Sequence, residues 1–177
     1  TIINNEDNFA HMLAHRTRHM GYTTRVVDTF DYEVFDGSDI VIVGPGPGDI
    51  NDTVNPRMKR LLEIIRKLVG LRKPFLGICL GFQATAKVLG IPVLKQKIPT
   101  QGLQEEIEVF GAREKVGFYN SFSPINAKGK RIMMLAQDHF FGMQFHPESA
   151  MTQNGYQILQ KALLKMVPKK EKRMSLE

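Results

Sequence analysis

An α/β fold with a mostly parallel central sheet, helices on both faces and a few antiparallel strands is predicted by three features of the sequence. Strand-like and helix-like segments alternate through the first half of the chain. Strand-like segments cluster in the second half, which adds antiparallel pairs to a parallel sheet. Two short runs, Asp39 to Val43 and Pro74 to Ile78, are almost wholly apolar, as strands covered on both faces are.

Each element has a local reason. Ile2-Ile3 reads as the end of a strand. Asn4, Asn5, Asp7 and Asn8 form a polar turn able to cap a helix. The helix that follows places Phe9, Met12, Leu13 and Met20 on one face, and Gly21 stops it. Thr23 to Val27 is rich in β-branched residues and reads as a strand. After the strand at 39–43, Gly44-Pro45-Gly46-Pro47-Gly48 must be an irregular loop. Asn55 caps the next helix and Pro56 suits its first position. Leu61, Leu62, Ile65, Leu68 and Val69 then repeat with helical period. A helix over Gly81 to Leu89 follows the strand at 74–78 and ends at Gly90. Ile107 to Phe110, Lys115 to Tyr119, Arg131 to Leu135 and Phe140 to Phe145 are further strands. Gly155 to Val167 closes the fold as an amphipathic helix with Ile158, Leu159, Ala162, Leu163 and Met166 on its apolar face.

Composition narrows the function classes. The chain has 177 residues, room for one domain, with 42% hydrophobic and 24% charged residues, too apolar for disorder. The net charge is +6, but Lys165, Lys169, Lys170, Lys172 and Arg173 crowd the last thirteen residues, leaving the body near balance. No aromatic residues interleave these charges, so a solvated tail is expected and no nucleic-acid partner. A single cysteine excludes a disulfide framework or Cys-rich zinc site, and suits a reducing, cytoplasmic compartment. No apolar run nears the ~20 residues that span a bilayer, so no membrane partner is expected. The opening has no signal-peptide pattern. Thr1 begins inside an apolar run without an initiator Met, which suggests excision from a longer chain. Residues 1–167 are expected to form the domain, and 168–177 a basic tail ending in what resembles a cloning scar, Ser175-Leu176-Glu177. His11, His15 and His19 share a helix face, but Arg16 and Arg18 beside them oppose a bound cation, and no metal site is expected.

Three segments carry chemistry. Cys79 lies in Gly77-Ile78-Cys79-Leu80-Gly81, with a strand before it and a helix after it. This is the glycine-flanked arrangement of a nucleophile elbow, which projects the sulfur at the carboxyl edge of the sheet and sets a helix N-terminus behind it. A lone cysteine is more often a small core residue, and the flanking glycines shift the balance. His146 and Glu148 stand at i and i+2, and Pro147 keeps the segment extended, so both can share one side. Alone, that pair reads as an exposed turn; beside a nucleophilic cysteine it is a base with its orienting partner. The loop Gly44 to Gly48 leaves a buried parallel strand and exposes backbone N–H groups that can stabilise an oxyanion.

Together, Gly44-Pro45-Gly46-Pro47-Gly48, Gly77-Ile78-Cys79-Leu80-Gly81-Phe82-Gln83 and Gln144-Phe145-His146-Pro147-Glu148-Ser149 resemble the three signatures of class I (triad) glutamine amidotransferases. The resemblance runs from Ile2 to Val167 and implies a flavodoxin-like fold. It implies that Cys79 attacks the side-chain amide of L-glutamine and forms a thioester, that His146 relays protons, and that Glu148 orients His146. Backbone N–H groups of Gly46 and Leu80 would hold the oxyanion, Gln83 would contact substrate, and Ser121 and Phe122 would hold its α-carboxylate. The opening Asn4-Asn5-Glu6-Asp7-Asn8-Phe9 is similar to the start of glutaminases serving anthranilate and aminodeoxychorismate synthases, with Asn4 in place of their Asp. Ile98-Pro99-Thr100-Gln101-Gly102 and Gly117-Phe118-Tyr119-Asn120 are more similar to the glutaminase domain of phenazine-type 2-amino-2-deoxyisochorismate synthases, with Asn120 where other relatives have His. Those phenazine-type enzymes depart from His-Pro-Glu, which this chain keeps.

The resemblance thus implies a glutaminase delivering ammonia to a chorismate-using synthase, fused or separate, with no cofactor here and Mg²⁺ in the synthase. The alternatives are an idle glutaminase-like module and a domain serving a nucleotide precursor. Phe122 to Arg131 is short for the family, so either a deletion or missing residues near Ile125 to Gly129 are expected.

Overall fold

A computed structural model describes residues 1–166. The tail at 168–177 lies outside the described residues. In chain order the elements are β1 (Ile2–Asn4), α1 (Phe9–His19), β2 (Val26–Asp28), β3 (Val41–Val43), α2 (Pro56–Gly70), β4 (Phe75–Ile78), α3 (Leu80–Val88), β5 (Val93–Val109), β6 (Ala112–Pro124), β7 (Met134–Gln137), β8 (Phe140–Met143) and α4 (Gly155–Met166). Six strands form one sheet in the order β2-β1-β3-β4-β8-β7. All neighbours pair in parallel except β7 with β8. β5 and β6 form a separate antiparallel ribbon.

The strands alternate their side chains between two cores, one on each face. Ile42, Leu76, Ile78, Phe141 and Met143 pack with Ala10, Leu13 and Ala14 of α1 and Ile158, Leu159 and Leu163 of α4. Val41, Val43, Phe75 and Phe140 pack with Leu61, Ile64 and Ile65 of α2 and Leu80 and Ala84 of α3. Asn55 starts α2 by accepting the N–H groups of Arg57 and Met58 on its side chain.

Two expectations are corrected. The buried face of α1 is Ala10, Leu13, Ala14 and Thr17, while Met12 is 42% exposed. Leu13 is buried and Met20 packs against the same core as expected, while Ala10 and Ala14 fill the rest of the face and bring the helix close to the sheet. The strands expected at 107–110 and 115–119 are fragments of the much longer β5 and β6. Most of β5 is solvated, so the ribbon has apolar alternation only where it touches the body.

After β6 the chain turns back on itself. Ile125 bridges to Arg131, the Asn126 side chain accepts the N–H groups of Lys128 and Lys130, and Gly129 takes φ 71° to close the turn.

Candidate active site

The sheet brings β3, β4 and β8 side by side, so the segments leaving them meet at one edge. The strand order changes direction between β1 and β3, which makes this the crevice side of the fold.

Cys79 follows β4, and its N–H donates to the Met143 carbonyl of β8 at 2.9 Å. Its backbone stands at φ 51° and ψ −103°, a left-handed conformation that is rare for a non-glycine residue. Such a backbone costs about 1–3 kcal/mol and persists only where its surroundings enforce it. Here they do. A Cβ on Gly81 would overlap the Val43 carbonyl, and one on Gly77 would press on the Gly81 backbone at 3.0 Å. The two glycines let strand, turn and helix close over one another, and the sulfur is left at the top with the residue 5% exposed. The Leu80 N–H opens α3 and so has no acceptor one turn earlier.

His146 and Glu148 follow β8. The His146 N–H donates to the Gly117 carbonyl at 3.0 Å, and the His146 carbonyl accepts from Thr152 Oγ1 at 2.6 Å. Nδ1 and Glu148 Oε1 are 2.7 Å apart, and both residues are almost wholly buried. An exposed turn is therefore ruled out for this pair. Burial alone would lower the His146 pKa, but the charges of Cys79 and Glu148 outweigh it and hold the pKa well above the usual imidazole value. Nε2 has no hydrogen-bond partner among the described residues, which leaves that nitrogen for proton exchange. Phe9 and Tyr119 enclose the imidazole, with ring centroids 4.8 and 5.1 Å from it. Tyr119 is itself tied to Ser149 by a hydroxyl pair at 3.0 Å.

The loop after β3 is held from below. Asn5, fully buried, donates from Nδ2 to the Gly44 carbonyl at 2.7 Å and accepts from Thr29 Oγ1 at 2.7 Å. Arg57 donates to the carbonyls of Asn5 and Pro47 at 2.6 and 2.7 Å. Gly46 lies directly on Asn5, where a Cβ would overlap it. That contact requires glycine through close approach alone.

Gln83, 3% exposed, donates from Nε2 to the Phe122 carbonyl at 2.9 Å and to Gln144 Oε1 at 3.3 Å. Gln144 donates from Nε2 to Cys79 Sγ at 3.5 Å. Ser121 lies further out on the ribbon and accepts from Gln101 Nε2 at 3.2 Å. Asn120 is knitted into the ribbon through the Phe122 carbonyl, Ser123 and Thr100, so it braces the backbone around Phe122. The fold thus gathers Cys79, His146, Glu148, Gln83 and Phe122, with Ser121 at the margin.

Sequence reasoning misses three neighbours. Gln144 stands beside the His-Pro-Glu run without an assigned task, and a glutamine at the end of an apolar strand is the signal that marks it. Phe9 reads as core, but its ring packs on His146. Tyr119 reads as a strand residue within a family-like motif, with no task of its own. Among the described residues there is no cluster of three or more His, Cys, Asp or Glu suited to a metal ion. Nor is any helix among them long and apolar enough to cross a membrane.

The model of the family described as glutamine amidotransferase class-I matches residues 1–166. A protein of Pseudomonas fluorescens named "Anthranilate synthase, phenazine specific" is 36% identical over 176 residues, covering 89% of this chain and 28% of that protein. Its namesake from Pseudomonas chlororaphis is 34% identical with the same coverage, so the chain spans little more than a quarter of these relatives. A glutamine-hydrolyzing GMP synthase subunit from Methanopyrus kandleri is 28% identical over 181 residues, covering 89% of this chain and 93% of that protein. Among solved structures, a GMP synthase subunit from Thermoplasma acidophilum superposes with a TM-score of 0.79 at 21% identity, covering 93% of this chain and 92% of that one.

Proposed function

The chain belongs to the class I glutamine amidotransferase family, and we propose that it hydrolyses L-glutamine to glutamate and ammonia for a chorismate-using synthase. The observation that carries the hydrolytic reading is the buried His146–Glu148 pair, at 2.7 Å, coupled to a cysteine on a strained elbow.

In this reading the Cys79 sulfur attacks the side-chain amide carbon, and the negative charge on its oxygen falls on the N–H groups of Gly46 and Leu80. His146, kept protonated by its neighbours, gives a proton to the departing ammonia. It then takes one from water, and the hydroxide splits the thioester to glutamate and free thiol. Glu148 fixes the tautomer and angle of the ring through Nδ1. Gln83, Ser121 and Phe122 face the rest of the substrate. The domain works in the cytoplasm, either within a larger protein or with a separate synthase, and Mg²⁺ is required by the synthase alone.

The likeness to the phenazine-specific proteins supports chorismate chemistry for the acceptor. The likeness to the GMP synthase of Methanopyrus kandleri favours a second reading, in which the ammonia goes to a nucleotide precursor. The test is glutamate release from glutamine by the full protein and its Cys79→Ala variant, with and without chorismate. Release that rises with chorismate and vanishes in the variant supports the proposal. Release indifferent to chorismate turns the acceptor toward the second reading, and no release under any condition leaves an idle scaffold.

A further inference from the structure

Phe122, Gln83, Gln144 and Cys79 form a line of contacts whose polarity is set by one fixed group. The Phe122 carbonyl oxygen can only accept, and it takes an N–H from Gln83 at 2.9 Å. Gln83 must therefore point its NH2 group there, and the second hydrogen of that group is directed to Gln144 Oε1 at 3.3 Å. With its oxygen so engaged, Gln144 turns its own NH2 toward Cys79 Sγ at 3.5 Å. Reversing Gln83 would set two oxygens against each other at Phe122. Reversing Gln144 would set its NH2 against that of Gln83. Gln83 and Gln144 are 3% and 0% exposed, so bulk water cannot relieve either mismatch.

We propose that Gln144 is the hydrogen-bond donor that orients the Cys79 sulfur for attack, and that Gln83 is a positioning residue that imposes this polarity from the Phe122 carbonyl. The proposal rests on the glutaminase reading only for the identity of the substrate. An N–H directed at the sulfur gives it one preferred direction and restricts its swing. The Gln83 side chain thereby acts on a sulfur to which it makes no hydrogen bond of its own, while its backbone N–H donates to the Cys79 carbonyl at 2.9 Å. Because Phe122 also belongs to the expected substrate pocket, the same carbonyl ties nucleophile orientation to the wall on which substrate rests.

Alkylation of Cys79 by iodoacetamide tests this without glutamine. The sulfur forms a bond to the methylene carbon, the carbon–iodine bond breaks, and iodide leaves with the electron pair. Labelling of the Cys79 peptide in the full protein is followed by mass spectrometry near pH 7, beside a thermal melt. Gln144→Leu, and the isosteric Gln144→Glu with no donor, are each expected to label about tenfold more slowly. Gln83→Glu is expected to do the same, since a carboxylate there draws the Gln144 NH2 away from the sulfur. The double variant Gln83→Glu/Gln144→Leu is expected to be no slower than Gln144→Leu, as members of one relay are non-additive. Labelling within twofold of the parent in natively melting Gln144→Glu overturns the proposal. So does a double variant in which the two losses multiply. If the relay pattern holds while glutamate is never released, the glutaminase reading fails and the relay stands.

Discussion

Cys79 is the residue at which the fold accepts local strain to present the proposed nucleophile. Its φ of 51° is one that glycine adopts freely and alanine does not. Cys79→Gly is therefore expected to be more stable than Cys79→Ala by about 1 kcal/mol, or some 2–4 °C in Tm, reversing the usual order. A higher Tm for the alanine variant would show that the backbone is not strained there. A second residue argument concerns His139, 8% exposed, with neither ring nitrogen hydrogen-bonded among the described residues. It packs against Phe75 and Phe140. Burial, helped by Arg72, lowers its pKa below the ordinary imidazole value of 6.5, so the unfolded chain binds a proton that the folded chain refuses. Stability from this group is present above pH 6.5 and is lost as pH falls below it, at up to about 1.4 kcal/mol per pH unit until the folded group also titrates. Urea unfolding between pH 7 and 5 is expected to show this slope and His139→Phe to flatten it; an unchanged slope would assign the acid sensitivity elsewhere.

At the scale of elements, the elbow works because strand, turn and helix interpenetrate at glycines. Gly81→Ala sets a methyl group on the Val43 carbonyl, which belongs to a neighbouring strand and cannot retreat alone. A loss of about 3 kcal/mol is expected in chemical denaturation, with glutamate release falling too. A variant as stable and active as the parent would mean that β3 and β4 can spread. The elbow, the His-Pro-Glu segment and the glycine loop were legible as a set, because each alone has a commoner reading and only their combination points to one sheet edge. The central strands were legible on their own, since burial on both faces leaves an unbroken apolar run such as Val41–Val43. What was hidden depended on distant partners. The length of β5 comes from cross-strand pairing with β6, and its exposed Gln101, Gln104 and Glu106 do not reveal that pairing. The buried face of α1 is set by how closely the helix docks, and a hydrophobicity count favours Met12 over Ala10. Gln144 gained meaning only when β8 placed it beside Cys79.

Across the whole molecule, the ribbon acts as a strap. Val93 at its start packs in the core under α2 and α3, while Val109 and Phe110 at its tip pack in the core under α1 and α4. The Phe110 ring lies 5.2 Å from Phe141 of β8. Between these anchors the strap carries Gly117, Tyr119 and Phe122 past the carboxyl ends of β4 and β8. Phe110→Ala is expected to raise hydrogen exchange along residues 100–118 several-fold and leave β1, β3 and β4 protected. Equal acceleration in the sheet would instead make strap and sheet one cooperative unit.

The strand order also imposes a chronology. Cys79 is made with β4, but the strand that pairs with β4 and leads to His146 is the last of the eight among the described residues. A growing polypeptide therefore displays its thiol while the imidazole proposed to act with it has yet to be synthesised. In the proposed reaction the base follows the nucleophile in synthesis, so a chain interrupted between β4 and β8 carries the thiol without its partner.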